Sequence, residues 1–294
     1  MQGTTSIVTS LLPLSLAIIM FGLGLSLTIS DFTRVIQYPK SIIVGLFCQM
    51  LILPALGLLV CKLFNLSYES SIGVMILAAS PGGITANLFS HLAGGNIALN
   101  LTLTAVNSIL AAFSLPFIVN LAFNYFSQGN AVEIGLQFSK TIEVFAIVLI
   151  PVGLGMLANK WKPELSRKAE KPVKIFSFLV LLVIVVGAIV SQKEQLATSF
   201  SQIGGAMLLF NVASMAVGYA IPLLLKSNRS EAIAISMEVG IHNGTLAIYI
   251  ALNLLNSFPF ALPAAVYSIL MFFTAGIFSL YLIRVRKAEA QVAR

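Results

Sequence analysis

Long apolar segments are the feature that most restricts the fold of this chain. Hydrophobic residues make up 58% of the sequence and charged residues 9%, whereas a soluble domain carries about 25% charged residues. A helix needs about 20 predominantly apolar residues to cross a bilayer. The sequence therefore predicts an all-α membrane protein with nine transmembrane helices, at about 7–27, 41–64, 71–92, 97–125, 132–158, 173–190, 203–225, 232–254 and 261–283.

The charged connections predict how these helices are oriented. Fourteen of the 17 Lys and Arg residues lie in the first, fifth and seventh connections and in the C-terminal tail. With nine spans, these regions share one side of the membrane, and cytoplasmic loops are enriched in Lys and Arg. We therefore expect a multi-pass protein of the cell (inner) membrane, with its N-terminus outside and its C-terminus in the cytoplasm. The net charge of +7 follows from this bias, so the expected partner is the lipid bilayer and not a nucleic acid.

Two of the predicted spans carry helix-breaking clusters at their middles. The third span holds the sequence SPGG at 80–83, and the eighth holds GIHNG at 240–244. Proline removes a backbone donor, and glycine weakens a helix. The two spans are five apart and cross the membrane in opposite directions, which is typical of inverted repeats with a binding site at the membrane midplane. Spans two to four would match spans seven to nine, and residues 1–294 would form one integral membrane domain.

A single acidic residue, Glu238, comes just before the second break. A carboxylate at the bilayer centre costs about 3 kcal/mol or more unless it is compensated. Backbone carbonyls freed by unwinding attract cations, and oxygen ligands suit hard ions such as sodium. We expect an oxygen-rich cage made by Glu238, Gln49, Asn87, Asn100, Thr104 and the carbonyls of Val239 and Ile241. The alternative is a structural pair between Glu238 and His242, which are four residues apart and would share a face of an intact helix.

These residues and their neighbours resemble the bile acid:sodium symporter family, and the similarity covers nearly the whole chain. The matching residues are MFGLGL at 20–25 followed by Asp31 and Phe32, Gln49 with Pro54, PGG at 81–83 with Asn87, GNIAL at 95–99, and EVG at 238–240 with Asn243. The resemblance implies a core domain, with spans at about 41–125 and 203–283, that contains two crossed discontinuous helices. A panel domain, with spans at about 7–27 and 132–190, would move against this core.

The resemblance also implies the residues of the site. Two sodium ions would serve as coupling ions, and no other cofactor is implied. The first sodium site would use Asn87, Asn100, Thr104 and Glu238. The second would use Gln49, Glu238, His242 and the carbonyls of Val239 and Ile241. The organic anion would lie beside the crossing, near Thr85, Asn243 and Gly244.

Three departures from the family pattern affect these expectations. The family usually has Gln at the position of His242, and an imidazole nitrogen is a poor sodium ligand. A protonated His242 beside Glu238 would exclude sodium from the second site, and the ordinary pKa of histidine, about 6.5, makes a proton role possible. Bacterial relatives typically have Ser where this chain has Ala86, which removes one hydroxyl ligand. A polar pair in the last span of some relatives is replaced by Met271 and Phe272.

The sequence thus predicts a sodium-coupled secondary active symporter. The resemblance implies that it would import an organic anion, bile-acid-like or a small carboxylate such as pantoate or a keto acid, by alternating access. The alternative is a proton-coupled organic anion transporter that uses Glu238 and His242. An enzyme is not expected, because Ser236 and His242 form the one candidate pair of nucleophile and base and their spacing of six residues places them poorly. The chain also lacks the Walker motif that ATP-driven transport requires.

Overall fold

The computed structural model describes residues 2–127, 138–169 and 193–292, together with residues 172, 173, 175, 176 and 179. Every regular element in these ranges is a helix, which confirms the predicted all-α class. The helices are α1 (Gln2–Ser26), α2 (Ile29–Thr33), α3 (Pro39–Leu63), α4 (Tyr68–Ala79), α5 (Ile84–Ala93), α6 (Ile97–Phe126), α7 (Phe138–Trp161), α8 (Lys193–Leu224), α9 (Arg229–Gly240), α10 (Gly244–Leu254) and α11 (Phe258–Val292).

Several of these helices are long and apolar enough to cross a membrane. Five uninterrupted helices meet this condition, at Pro39–Leu63, Ile97–Phe126, Ile142–Trp161, Ile203–Leu224 and Phe258–Glu289. A sixth span is formed if Pro13–Ser26 and Ile29–Ile36, which are bent by 75°, are taken together. The chain is therefore a multi-pass membrane protein. The predicted span at 173–190 lies outside the described residues except at four positions, so the count of nine stays a prediction.

Two helices extend beyond the apolar segments that predicted them. The seventh segment was expected to begin at about 203, but α8 begins at Lys193. The ninth was expected to end at about 283, but α11 ends at Val292. Hydropathy marks the part of a helix inside the hydrocarbon layer, whereas the helix itself continues as long as its backbone hydrogen bonds do.

Both predicted helix breaks are confirmed. The first separates Ala79, the last residue of α4, from Ile84, the first residue of α5. The second separates the end of α9 at Gly240 from the start of α10 at Gly244. At the second break the Asn243 side chain accepts a hydrogen bond from the Leu246 amide at 3.0 Å, which caps the new helix. Pro81 and two glycines follow the end of α4, whereas Gly240 ends α9. The Asn243 side chain caps α10, and α5 begins after Gly83 without a side-chain cap.

The two breaks lie against each other in the folded chain. Gly82 and His242 form an isolated antiparallel bridge. The Gly83 amide donates to the Ile241 carbonyl at 2.7 Å, and the Asn243 amide donates to the Pro81 carbonyl at 2.9 Å. Backbone groups released by unwinding must find partners inside the protein, because lipid offers none. Each break therefore provides hydrogen-bond partners for backbone groups of the other. This pairing fixes the position of the candidate site.

Candidate cation site at the paired helix breaks

Glu238 lies in the last turn of α9, two residues before that helix ends, and its side chain is buried. The carboxylate oxygen Oε2 accepts a 2.6 Å hydrogen bond from the Thr104 hydroxyl and a longer one, 3.5 Å, from the Asn100 amide. The other oxygen, Oε1, makes no hydrogen bond. A Cβ atom added at Gly82 would overlap Oε1 and lie 2.7 Å from Oε2. The carboxylate of the second break therefore rests directly on the backbone of the first.

The predicted first sodium site has two of its residues in direct contact with Glu238. Asn100 and Thr104 are both fully buried and lie four residues apart on one face of α6. The Asn100 amide nitrogen donates to the Ala234 carbonyl at 2.8 Å, while its Oδ1 makes no hydrogen bond. Asn87, in the first turn of α5, is also buried and its Oδ1 has no hydrogen-bond partner. Three buried oxygens, on Glu238, Asn87 and Asn100, are thus left unpaired by the protein.

The predicted second site has two side chains that meet at the Ser80 carbonyl. Gln49 lies in a π turn of α3, and its amide nitrogen donates to this carbonyl at 2.8 Å. The Nδ1 atom of His242 lies 3.3 Å from the same carbonyl. Both side chains are buried, and each has one polar atom without a hydrogen bond from any described residue, Oε1 of Gln49 and Nε2 of His242. The structure therefore brings Gln49 and His242 together at the first break.

Aromatic side chains hold the imidazole of His242 in this orientation. Its ring stacks on Phe210, with centroids 6.0 Å apart and an angle of 10° between the planes. The Tyr267 ring meets it edge-on, with centroids 5.2 Å apart. The helical pair between Glu238 and His242 that the sequence allowed was wrong, because neither Oε1 of Glu238 nor Nε2 of His242 has a hydrogen-bond partner. The helix ends between the two residues, so they no longer share a face.

The carbonyls at the end of α9 have different partners. The Ile241 carbonyl, a predicted ligand, accepts the Gly83 amide and retains one lone pair. The Gly240 carbonyl accepts two side-chain hydrogen bonds, from Asn211 at 2.8 Å and from the Tyr267 hydroxyl at 2.9 Å. Val239, the other predicted carbonyl ligand, is buried in the last turn of α9.

The predicted substrate residues lie where the second halves of the broken helices begin. Thr85 is half-buried in the first turn of α5. Asn243 is buried and caps α10, and Gly244 is the first residue of that helix. A side chain at Gly244 would overlap the Ser268 hydroxyl. All three residues are therefore at half-helix N-termini, where backbone N–H groups attract anions.

Some polar residues around this cluster were not predicted from the sequence. Asn211 and Tyr267 clamp the Gly240 carbonyl, and Thr274 in turn donates to Asn211. Asn107 is buried on α6, and its Oδ1 atom has no hydrogen-bond partner among the described residues. The spacing of 100, 104 and 107 on one helix predicts a shared face, so this pattern was a usable signal for Asn107. The signal for Asn211 was weaker, since it is one polar residue in an apolar segment.

A multi-pass helical membrane protein with buried, unpaired oxygen atoms at two interrupted helices has the architecture that is typical of secondary transporters. Comparison with known families agrees with this class. The model of the Sodium Bile acid symporter family matches residues 13–199, and the chain therefore belongs to that family.

Similar proteins come from bacteria, plants and animals. The chain is 28% identical over 262 residues to YocS of Bacillus subtilis, which is described as an uncharacterized sodium-dependent transporter. The aligned region covers 89% of this chain and 79% of YocS. It is 26% identical over 298 residues to the human ileal sodium/bile acid cotransporter, covering 97% of this chain and 82% of that one. A protein of Oryza sativa described as a probable chloroplastic sodium/metabolite cotransporter, BASS2, is 27% identical over 258 residues, and the chain spans 60% of its length.

Proposed function

We propose that this protein is a sodium-coupled symporter that imports an organic anion by alternating access. The observation that carries the proposal is the buried Glu238 carboxylate, which has one oxygen without a hydrogen bond and rests on the opposing helix break. Burying such a charge in a membrane costs about 3 kcal/mol or more, and a bound monovalent cation offsets this cost. Family membership and the sodium-coupled relatives support the choice of sodium.

Two cation positions are proposed around Glu238. The first uses the oxygens of Asn87, Asn100, Thr104 and Glu238. The second uses Gln49, Glu238, His242 and the carbonyls of Val239 and Ile241. Support for the first is the set of unpaired buried oxygens on Asn87, Asn100 and Glu238. The second offers an imidazole nitrogen in place of an oxygen, so we propose that the first position carries the coupling and that His242 sets the occupancy of the second.

The organic anion is proposed to bind at Thr85, Asn243 and Gly244. No Lys or Arg occurs in residues 68–93 or 230–254, so backbone N–H groups at the half-helix N-termini would provide the positive potential. A bile-acid-like molecule or a small carboxylate such as pantoate or a keto acid is the proposed cargo. A sodium ion beside Glu238 would add to the attraction for the anion.

Alternating access is proposed to move a panel (about 7–27 and 132–190) against a core (about 41–125 and 203–283) within one integral domain, 1–294. A side-chain hydrogen bond crosses this boundary, from the Tyr249 hydroxyl on α10 to Glu143 on α7 at 2.7 Å. A relative movement of the two parts would break this hydrogen bond. The inner membrane, with the N-terminus outside and the C-terminus in the cytoplasm, is the proposed location.

Uptake by the purified protein in proteoliposomes tests this function. A panel of radiolabelled bile acids and small carboxylates is offered with sodium outside, and in parallel with potassium outside. We expect at least one anion to accumulate with the inward sodium gradient and not with potassium. Glu238→Gln, which removes the charge but keeps the shape, should abolish this accumulation. Equal uptake with both cations would contradict sodium coupling.

A proton-coupled organic anion transporter is a second candidate, because of His242. Its Nε2 atom is buried without a hydrogen bond from any described residue, and histidine is the side chain whose ordinary pKa, about 6.5, lies close to neutral pH. This candidate predicts uptake that follows a pH gradient and continues without sodium. His242→Gln should then shift the dependence toward sodium, whereas an unchanged dependence would identify a passive histidine.

A further inference from the structure

Asn107 carries a buried amide whose oxygen is not satisfied by the described part of the protein. Its side chain is 1% exposed, and its Oδ1 atom has no hydrogen bond from any described residue. Leaving one buried donor or acceptor unsatisfied costs about 1–3 kcal/mol. An apolar residue of similar volume would avoid that cost, so a polar side chain at this position points to a ligand that the protein itself does not provide.

The position of Asn107 directs it toward the Glu238 cluster. Asn100, Thr104 and Asn107 follow one another at intervals of four and three residues, so they form one stripe along α6. Asn107 lies about 4.5 Å along the helix axis beyond Thr104, whose hydroxyl donates to Glu238. The amide nitrogen of Asn107 faces the Glu238 carboxylate, which leaves Oδ1 as the atom without a partner among the described residues. The stripe therefore continues past the residues that the sequence predicted as ligands.

Other oxygens around the same carboxylate are also unpaired. Oε1 of Glu238, Oδ1 of Asn100 and Oδ1 of Asn87 have no hydrogen bond. Ala86, next to Asn87, is fully buried and offers no side-chain oxygen. A hard cation prefers oxygen ligands, and a further oxygen in reach can strengthen its binding.

We propose that the side-chain oxygen of Asn107 is a further ligand of the cation held beside Glu238. The inference rests on the proposed sodium coupling and adds to it a residue that sets the affinity for the ion. A competing role is structural, in which the Asn107 amide nitrogen donates to Glu238 when the ion is absent. The two roles differ in which end of the amide matters, and they can be separated by substitution.

Sodium titration of the purified full-length protein in detergent tests this assignment. The midpoint of thermal unfolding is followed while sodium replaces potassium at constant ionic strength, which yields an apparent sodium affinity through linkage. Asn107→Leu, which keeps the volume and removes both polar atoms, should weaken sodium binding by at least about tenfold, since even outer-shell partners of metal sites contribute about 10–100-fold. Asn107→Asp, which keeps an oxygen and loses the donor, should retain or strengthen the sodium response.

Thr102→Val is the matched control on the same helix. Thr102 is fully buried, but its hydroxyl already donates to the Ala98 carbonyl at 2.9 Å and it lies off the stripe. The sodium affinity of the Thr102→Val protein should equal that of the wild type. If Asn107→Leu does not yield folded protein, Asn107→Ala takes its place with the same expected weakening.

Each outcome decides between the roles. A Leu or Ala variant with wild-type sodium affinity would overturn the inference while leaving sodium coupling intact. An Asp variant that loses the response as the Leu variant does would assign Asn107 the donor role and also overturn it. A wild-type protein without any sodium-specific shift would contradict the proposed function, and this inference with it.

Discussion

At the residue scale, the proposed cation site depends on how closely Glu238 approaches Gly82. The carboxylate occupies the space that any side chain at position 82 would need, since an added Cβ atom would lie 2.7 Å from Oε2 and closer still to Oε1. Glycine at this position therefore lets a charged group of one break reach the backbone of the other. The charge is stabilised by the Thr104 hydroxyl on one oxygen only.

Gly82→Ala is expected to disable the cation site without removing any ligand. The new methyl group must displace the carboxylate from its place between the breaks. The apparent sodium affinity, read from the sodium-dependent rise in thermal midpoint, should therefore be lost or weakened by at least about tenfold. Gly276→Ala is the control, because a Cβ atom there meets nothing within 4 Å. A Gly82→Ala protein with the sodium affinity of the control would show that the carboxylate's position is not critical.

At the element scale, the pairing of α1 with α7 depends on glycine. A Cβ atom at Gly155 would overlap the Phe21 carbonyl and lie 2.8 Å from the backbone of Gly24. The reciprocal atom at Gly24 would lie 2.9 Å from the Cα of Gly155. The two backbones are therefore in direct contact, as small residues allow between membrane helices.

Gly155→Ala should separate these two helices and lower stability. Overpacking of this kind costs about 1–3 kcal/mol, so the thermal midpoint should fall. Gly153→Ala, two residues earlier on α7, faces open space and should leave the midpoint unchanged or slightly raised, since alanine favours helix. Equal midpoints for the two variants would contradict the close contact between α1 and α7.

Local chemistry explains which elements the sequence could predict. The breaks at 80–83 and 240–244 were predictable because Pro and Gly act on their own backbone. The stacking of His242 on Phe210 and the Asn211 clamp on Gly240 were not, because each joins residues about 30 positions apart through tertiary packing. The contact between Thr104 and Glu238 spans 134 positions. It was expected from the predicted oxygen-rich cage and from the family resemblance, but residue spacing could not have shown it.

At the whole-molecule scale, sodium-driven import depends on how the chain is oriented in the membrane. The connection before α3 should be cytoplasmic and the one before α4 outside, because of the distribution of Lys and Arg. Both native cysteines, Cys48 and Cys61, are at most 2% exposed. New cysteines can therefore be introduced into the natural chain with little background labelling.

Single cysteines on either side of α3 test this orientation. Gln37 and Glu69 are both exposed, and Gln37→Cys should lie inside while Glu69→Cys should lie outside. A membrane-impermeant maleimide should label Glu69→Cys in intact cells, and Gln37→Cys only after the membrane is opened. The reverse pattern would invert the proposed topology, and labelling of both in intact cells would show that α3 does not cross the membrane.

Direct binding of ²²Na⁺ to the purified protein shows whether the paired breaks hold sodium at Glu238. We expect saturable binding by the wild type, loss of that binding in Glu238→Gln, and a higher sodium affinity when the transported anion is present, because coupling between two ligands is reciprocal. Glu143→Gln, which removes a membrane-helix carboxylate outside the cluster, should bind sodium as the wild type does. Saturable ²²Na⁺ binding that survives in Glu238→Gln would contradict the account.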